Sequence, residues 1–214
     1  MVVLEGLHPL KHALRFGARV QRAVAPDPER VVALARDLAP DVAEQIARLL
    51  EPGEVREPLD VVAYADPPAP RPLGDAPVVL LDGPRHLGNV GAAIRVAAAA
   101  DAGGVLVRGE VDPWHPAAIR GAAGLQYALP VERVEEPPSD RPLVALDPEG
   151  APLDTIPDRA VLAFGAERHG LSEAVRARAD AVCALPMRRG VSSLNLATAV
   201  AATLYALRAG RARW

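Results

Sequence analysis

The chain has 214 residues, 24 Lys and Arg against 27 Asp and Glu, a formal net charge of −3, and half its residues hydrophobic but only 3% aromatic. That balance excludes a uniformly basic nucleic-acid coat, because phosphate binding calls for at least a basic face. It also makes the core one of Ala, Val and Leu, an α/β composition. The single cysteine, Cys183, excludes an intramolecular disulfide and a cysteine zinc cluster, and its place in the apolar run AVCALPM marks it as a buried strand residue.

From the N-terminus, LEGLHPLKHALRF at 4–16 places Leu7, Leu10 and Leu14 on one helical stripe, with the stem of Lys11 beside them and Gly17 as the stop. Residues 28–38 and 41–50 repeat the helical pattern, and VVAY at 61–64 reads as a short strand. These elements predict a small α/β module over residues 1–68. His8 and His12 stand at i, i+4 spacing, but His86, His115 and His169 are scattered, so no metal site is expected. The segment PPAPRPLGDAP at 67–77 continues neither a helix nor a central strand. It predicts a linker over 69–77 and a second domain over 78–214.

In that second domain, apolar runs at 78–81, 104–107, 143–146, 160–164 and 181–185 suit strands buried on both faces. Helical patterns fall between them at 89–101, 114–123, 171–179 and 193–209. Interleaving of this kind predicts a mostly parallel sheet covered on both sides, with ligands at the carboxyl ends of the strands. No apolar stretch approaches the roughly 20 residues of a membrane helix, and the N-terminus lacks a basic segment followed by an apolar one. A cytoplasmic protein is therefore expected, with no membrane partner.

Three islands near those strand ends concentrate residues that ordinary packing does not require. In NVGAAIR at 89–95, Asn89 reads as the cap of the following helix, Gly91 permits close approach of another backbone, and Arg95 is a lone charge on an apolar helix. FGAERHGLS at 164–172 carries Glu167 in a turn between Gly165 and Gly170, with Ser172 as ordinary helix-start chemistry. In LPMRRGVSSLNLA at 185–197, Ser192 or Ser193 reads as the helix cap, and Asn195 is an amide that must find a polar partner. Dinucleotide-binding, P-loop, zinc-protease and nucleophile-elbow patterns are all missing.

In order and spacing the three islands resemble the three motifs of the SpoU/TrmH family of RNA 2′-O-ribose methyltransferases, within the knotted SPOUT superfamily. The likeness covers 78–209, with HPAAIRGAAGLQYALPV at 115–131 and DPEGAPL at 147–153 similar to the family's intervening segments. EGLHPLKHALRFG is similar, less specifically, to the start of a small RNA-binding domain found in many members. The resemblance implies a C-terminal trefoil knot, S-adenosylmethionine as cofactor, RNA as partner and a homodimer packed through the knot domains with the active site at the interface. Carried over, Gly165, Leu185, Met187, Ser193 and Leu194 hold the cofactor. Arg95 does the main catalytic work, with Asn89, Glu167 and Asn195 shaping the site and Glu167 holding Arg95 or ribose.

An arginine stays protonated up to a pKa above about 12, so Arg95 is read as phosphate anchor and electrostatic stabiliser, with proton removal by Arg95 as the alternative. It should face the crevice of Gly165, Leu185 and Leu194, in its own subunit or across the dimer. Ribosomal RNA is preferred over transfer RNA because of the extra N-terminal module, whose Lys11, Arg15, Arg19 and Arg22 form its best phosphate-facing stripe. Further arginines at 188, 189, 208, 211 and 213 make the C-terminal stretch basic. Ala122 and Ala197 depart from the serines frequent in the family. The rival reading is a knotted RNA-binding or assembly factor without catalysis, and a more distant one is an unrelated nucleotide-binding α/β enzyme.

Overall fold

A computed structural model describes residues 1–153 and 156–211, so Arg213 lies outside the described residues. Four short strands before residue 66 form one sheet: β1 (Val2–Glu5), β2 (Val20–Ala25), β3 (Leu50–Pro52) and β4 (Val62–Ala65), in the order β1-β4-β2-β3. β4 runs antiparallel to β1 and β2, and β3 parallel to β2. Helices α1 (Leu7–Arg15), α2 (Pro28–Leu38) and α3 (Ala43–Leu49) bury Leu10, Ala35 and Ile46 with Leu4, Ala23 and Ala63 of the strands. The helix expected from residue 4 begins only at Leu7. Gly6 turns the chain between β1 and α1 with φ +98°, a conformation that side chains rarely adopt, and leaves Leu4 and Glu5 in a strand.

A second sheet of six strands is parallel throughout, in the order β10-β8-β9-β5-β6-β7. Its strands are β5 (Val78–Asp82), β6 (Gly104–Arg108), β7 (Val131–Val134), β8 (Leu143–Pro152), β9 (Val161–Gly165) and β10 (Ala181–Ala184). The runs are continuously apolar because both faces are covered. Val79, Leu81, Leu162 and Phe164 pack with Ile94 of α4 (Leu87–Ala99), Ala118 of α5 (Pro116–Ala122) and Val200 of α7 (Leu196–Arg211). Val78, Leu80, Leu143 and Ala163 pack on the opposite face with Val175 of α6 (Glu173–Arg178). Cys183 is buried in β10.

Gly91 fixes where α4 and α5 cross. A Cβ there would lie 2.3 Å from the Ala118 carbonyl oxygen and 2.8 Å from the Gly121 Cα, so the helices touch backbone to backbone.

The segment at 67–77 is not a free tether. Arg71 donates to the carbonyls of Tyr127 and Leu129 at 3.0 and 2.8 Å, and Arg141 to those of Gly74 and Leu73 at 2.9 and 3.1 Å. Ile119 and Tyr127 join the core of the first sheet, and the Tyr127 hydroxyl donates to the Asp66 carbonyl at 3.0 Å. Burial, with the Asp66 carboxylate nearby, holds that phenol well above its usual pKa.

The first sheet is further seated by α1. The His12 Nδ1–H donates to the Ala123 carbonyl at 2.7 Å, and Arg120 pairs with Glu5 at 2.8 Å. Burial is the largest influence on His12 and depresses its pKa below 6.5; the bond to Ala123 opposes this, and Lys11 and Arg15 reinforce it. A depressed histidine takes up its proton more readily in the unfolded chain, so its contribution to stability is complete above the unfolded value and lost as the pH falls below it. Urea midpoints should stay level from about pH 8 to 7 and decline from about pH 6.5 towards 5, with a shallower decline in His12→Gln. An identical pH dependence in the variant would remove His12 from this role.

Candidate functional site

The carboxyl ends of β9 and β10, with the stretch of β8 just beyond its pairing to β9, open onto one cavity of about 380 Å³. Leu146, Phe164, Leu185, Met187, Leu194 and Leu196 give it apolar walls, while Asp147, Glu167, Arg168, Ser192 and Ser193 supply polar groups. Gly165 ends β9 at its floor. Every residue assigned by resemblance to the cofactor, namely Gly165, Leu185, Met187, Ser193 and Leu194, lines this space.

Two glycines shape the loop that carries Glu167. The Ala166 and Gly170 N–H groups each donate to the other's carbonyl, at 3.0 and 2.9 Å, and Gly170 takes φ +66°. A Cβ on Gly165 would stand 2.1 Å from the Gly170 carbonyl carbon, so this glycine is required by the loop folding back on its own strand rather than by space for a ligand. The loop ends at Ser172, whose Oγ caps α6 by accepting from the Val175 N–H at 3.3 Å. Buried Asp82 accepts from the Ser172 N–H at 2.6 Å and from Arg108 at 3.0 Å, fixing the loop to the ends of β5 and β6. Neither Asp82 nor Arg108 stood out in the sequence, because each ends an apolar run where a solvated charge is the common case.

Three side chains from distant segments meet at the cavity edge. The Asn195 amide donates to the Asn89 oxygen at 3.2 Å, and the Asn89 amide donates to Glu167 Oε1 at 2.5 Å. Asn89 does not cap α4: it stands at the third position of that helix, where His86 holds the cap position without a side-chain bond. Ser192 and Ser193 do not cap α7 either. Its cap is Asn195, exposed rather than buried, whose oxygen accepts from the Ala197 and Thr198 N–H groups at 3.0 and 3.4 Å. With its oxygen facing the helix, its NH₂ is left to reach Asn89.

Burial would raise the Glu167 carboxyl, yet the Asn89 amide, its own N–H, the charge of His86 and the Arg85 N–H together hold it below its ordinary value. Glu167 is therefore an anion at neutral pH and an acceptor. Its partner is Asn89 and not Arg95, contrary to one of the roles read from the sequence. Asp147 is a further acid on the cavity wall that the sequence reading passed over; it pairs with Arg176 and accepts from the Glu149 N–H at 3.0 Å.

Arg95 is exposed, forms no hydrogen bond or ion pair with any described residue and does not line its own chain's cavity. Six residues along α4 at 100° each turn it about 120° around the helix axis from Asn89. Within one chain, the expectation that Arg95 faces Gly165, Leu185 and Leu194 fails.

Residues 76–205 match the SpoU rRNA Methylase family. The chain belongs to that family. A 23S rRNA (uridine(2479)-2′-O)-methyltransferase of Streptomyces viridochromogenes is 33% identical, over 94% of this chain and 79% of that protein. A 23S rRNA (guanosine(2553)-2′-O)-methyltransferase of Bacillus subtilis is 28% identical, over 96% and 88%. Among solved structures, the SpoU methyltransferase AviRb from Streptomyces viridochromogenes in complex with AdoMet superposes with a TM-score of 0.78 at 28% identity, over 97% of this chain and 89% of that one. An AdoMet-bound rRNA methyltransferase from Sinorhizobium meliloti gives 0.72 at 26%, over 99% and 88%. In this SpoU chain, the six-stranded parallel sheet is thus the methyltransferase-type α/β fold.

Replacing the cap separates its two bonds. Asn195→Ala should lower unfolding stability by about 1 kcal/mol, the usual worth of a helix cap, whereas Asn195→Asp keeps the acceptor and stays within about half of that loss. Urea unfolding of the three proteins checks this; equal losses in both variants would mean that the bond to Asn89, not the cap, is what matters.

Proposed function

We propose that this SpoU chain transfers the methyl group of S-adenosylmethionine to a ribose 2′-hydroxyl of structured RNA, ribosomal RNA in preference to transfer RNA. The observation that carries the reading is the mostly apolar cavity at the ends of β9 and β10, with Glu167, Asn89 and Asn195 linked at its edge. Its volume lies in the range of small-molecule sites, about 300–1,000 Å³, and its apolar walls with few polar groups suit a purine nucleoside bearing a charged amino-acid tail. Gly165, Leu185, Met187 and Leu194 would hold the purine side, with Ser193 offering a hydroxyl. When bound, the cofactor supplies a methyl on a sulfonium, already an excellent leaving group. Transfer forms the O–CH3 bond as the S–CH3 bond breaks, and the hydroxyl proton passes to solvent water; the protein's task is then orientation and stabilisation of the forming alkoxide.

Glu167, held as an anion by Asn89, accepts a hydrogen bond from a ribose or cofactor hydroxyl. Asn195 and Asn89 keep that carboxylate in place. Arg95 steadies the phosphate and the developing negative charge on the 2′-oxygen; a cation serves that purpose better than it serves as a base.

Because Arg95 lies outside its own cavity, the complete site is a homodimer in which α4 of one protomer brings Arg95 to the partner's cavity. The exposed faces of α4 and α7 support this, since Arg95 shares them with Ala92, Ala99, Ala202 and Tyr205, the last 49% exposed, and with Leu194 at the cavity rim, 40% exposed. We assign residues 1–68 to a small RNA-binding domain, 69–77 to a clamped linker and 78–214 to the methyltransferase domain. Its C-terminal segment is threaded through a loop as a trefoil knot; the return of the chain from edge strand β10 across the strand ends to α7, packed with α4, supports that threading. No described helix is long and apolar enough to cross a membrane, and we assign the enzyme to the cytoplasm.

Arg95→Ala should lower methyl transfer at saturating substrate by at least about 100-fold with unchanged cofactor affinity. Transfer of radiolabelled methyl to ribosomal RNA and calorimetric titration of the cofactor measure both, and undiminished turnover would remove Arg95 from the site. Gly165→Val should lose cofactor affinity through displacement of the 166–171 loop, so its melting temperature falls as well. A variant that fails to bind yet melts like the parent would show that the residue acts by filling the pocket.

A further inference from the structure

The first sheet's module does more than attach RNA at a distance: it stands beside Arg95. Helix α1 is seated on the turn after α5, where His12 bonds Ala123 and the missing side chain of Gly124 admits Pro9, whose carbonyl oxygen would lie 2.5 Å from a Cβ. The same stretch carries α5, which crosses α4 at Gly91. Arg95 lies one turn beyond Gly91 on that side of α4. His8, exposed at the start of α1, is consequently within electrostatic reach of Arg95, with Lys11 and Asp60 as its other charged neighbours. Lys11 and Arg95 make no hydrogen bond or ion pair with any described residue. Two cations of otherwise distant origin thus act on one exposed imidazole.

Resting on the proposed dimer, this cluster has a direction. We infer that the RNA methylated at one protomer's cavity is gripped by the other protomer's N-terminal module, with His8 and Lys11 contacting its phosphodiester backbone next to Arg95. Neither Arg95 nor any residue of the module lines the cavity of its own chain, and the Gly91 crossing and the bonds of Arg71 and Arg141 to the connecting segment hold the two in that placement. The ligand is a phosphodiester because the cluster offers donors and positive charge. Asp60 is the acidic side chain that acts on His8 there.

Mixed dimers decide the matter. One subunit carries Leu185→Trp, which fills the cavity, and the other carries His8→Ala with Lys11→Ala. Dual-tag purification isolates the mixed species, and methyl transfer to ribosomal RNA is measured well below saturation. The His8/Lys11 homodimer should show a kcat/KM reduced about tenfold through KM, near-normal kcat at saturating RNA and a shallower dependence on salt. In the mixed dimer the only open cavity then faces an intact module, and activity should be about half that of the parent. Service of a cavity by its own module predicts instead about one twentieth, and that result overturns the inference, as does a His8/Lys11 homodimer with unchanged KM. Met187→Trp replaces Leu185→Trp if the latter does not form dimers. A parent enzyme that methylates no RNA would defeat the proposed function itself, a failure distinct from that of the mixed dimer.

Discussion

The hydrogen bonds joining Asn195, Asn89 and Glu167 are the constraint on which the site depends. They connect side chains 106 and 78 residues apart, from the start of α7, the first turn of α4 and the loop after β9. Each member is held for a local reason. Asn195 is fixed by capping its helix, Asn89 by belonging to the first turn of one, and Glu167 by a loop that folds back against Gly165. The relay thus converts backbone order in three elements into the position of one carboxylate. It also keeps that carboxylate charged, since the donors outweigh the cost of its partial burial.

Close backbone contact is what lets such distant elements converge. Gly91 against Gly121 brings α4 and α5 together, and Gly165 against Gly170 folds the loop over the sheet end. Buried Asp82 then fixes the far side of that loop through Ser172 and Arg108. Removing Arg108 would leave the buried Asp82 carboxylate short of a partner, which costs far more than the pair contributes in water. The cavity forms between these fixed parts.

Much of this architecture was readable from the residues. Runs such as 78–81 and 160–164 are apolar at every position because they are covered on both faces, and the structure makes them neighbouring parallel strands. Helix stops at Gly17 and strand-to-loop islands at the cavity were equally legible. What was not legible depended on contacts far along the chain. Leu4 and Glu5 carry a helical pattern yet pair with β4; β2, with exposed Gln21 and Arg22, lacks clean alternation. Asn195 was singled out as an amide in need of a partner, but its capping role was given to Ser192 or Ser193, because sequence cannot show at which residue the turn straightens. Arg95 was conspicuous as a lone charge, and its direction could not be known without the crossing of α4 and α5.

Placement of the arginines matters more here than the net negative charge. Arg71, Arg141, Arg178 and Arg208 are consumed by backbone carbonyls, with Arg208 donating to Ala100 at 2.8 Å rather than joining a free basic tail. Arg85, Arg168, Arg188 and Arg189, in the loops around the cavity, make no hydrogen bond or ion pair through their side chains among the described residues and are exposed. Positive charge is thus left free where a phosphate chain would pass. A crystal structure of the protein with S-adenosylmethionine tests the proposed dimeric site most directly. The cofactor is expected between Leu185 and Leu194 with Arg95 of a second protomer facing its methyl group; cofactor bound elsewhere, or both Arg95 side chains turned to solvent away from either cavity, would contradict a site shared between protomers.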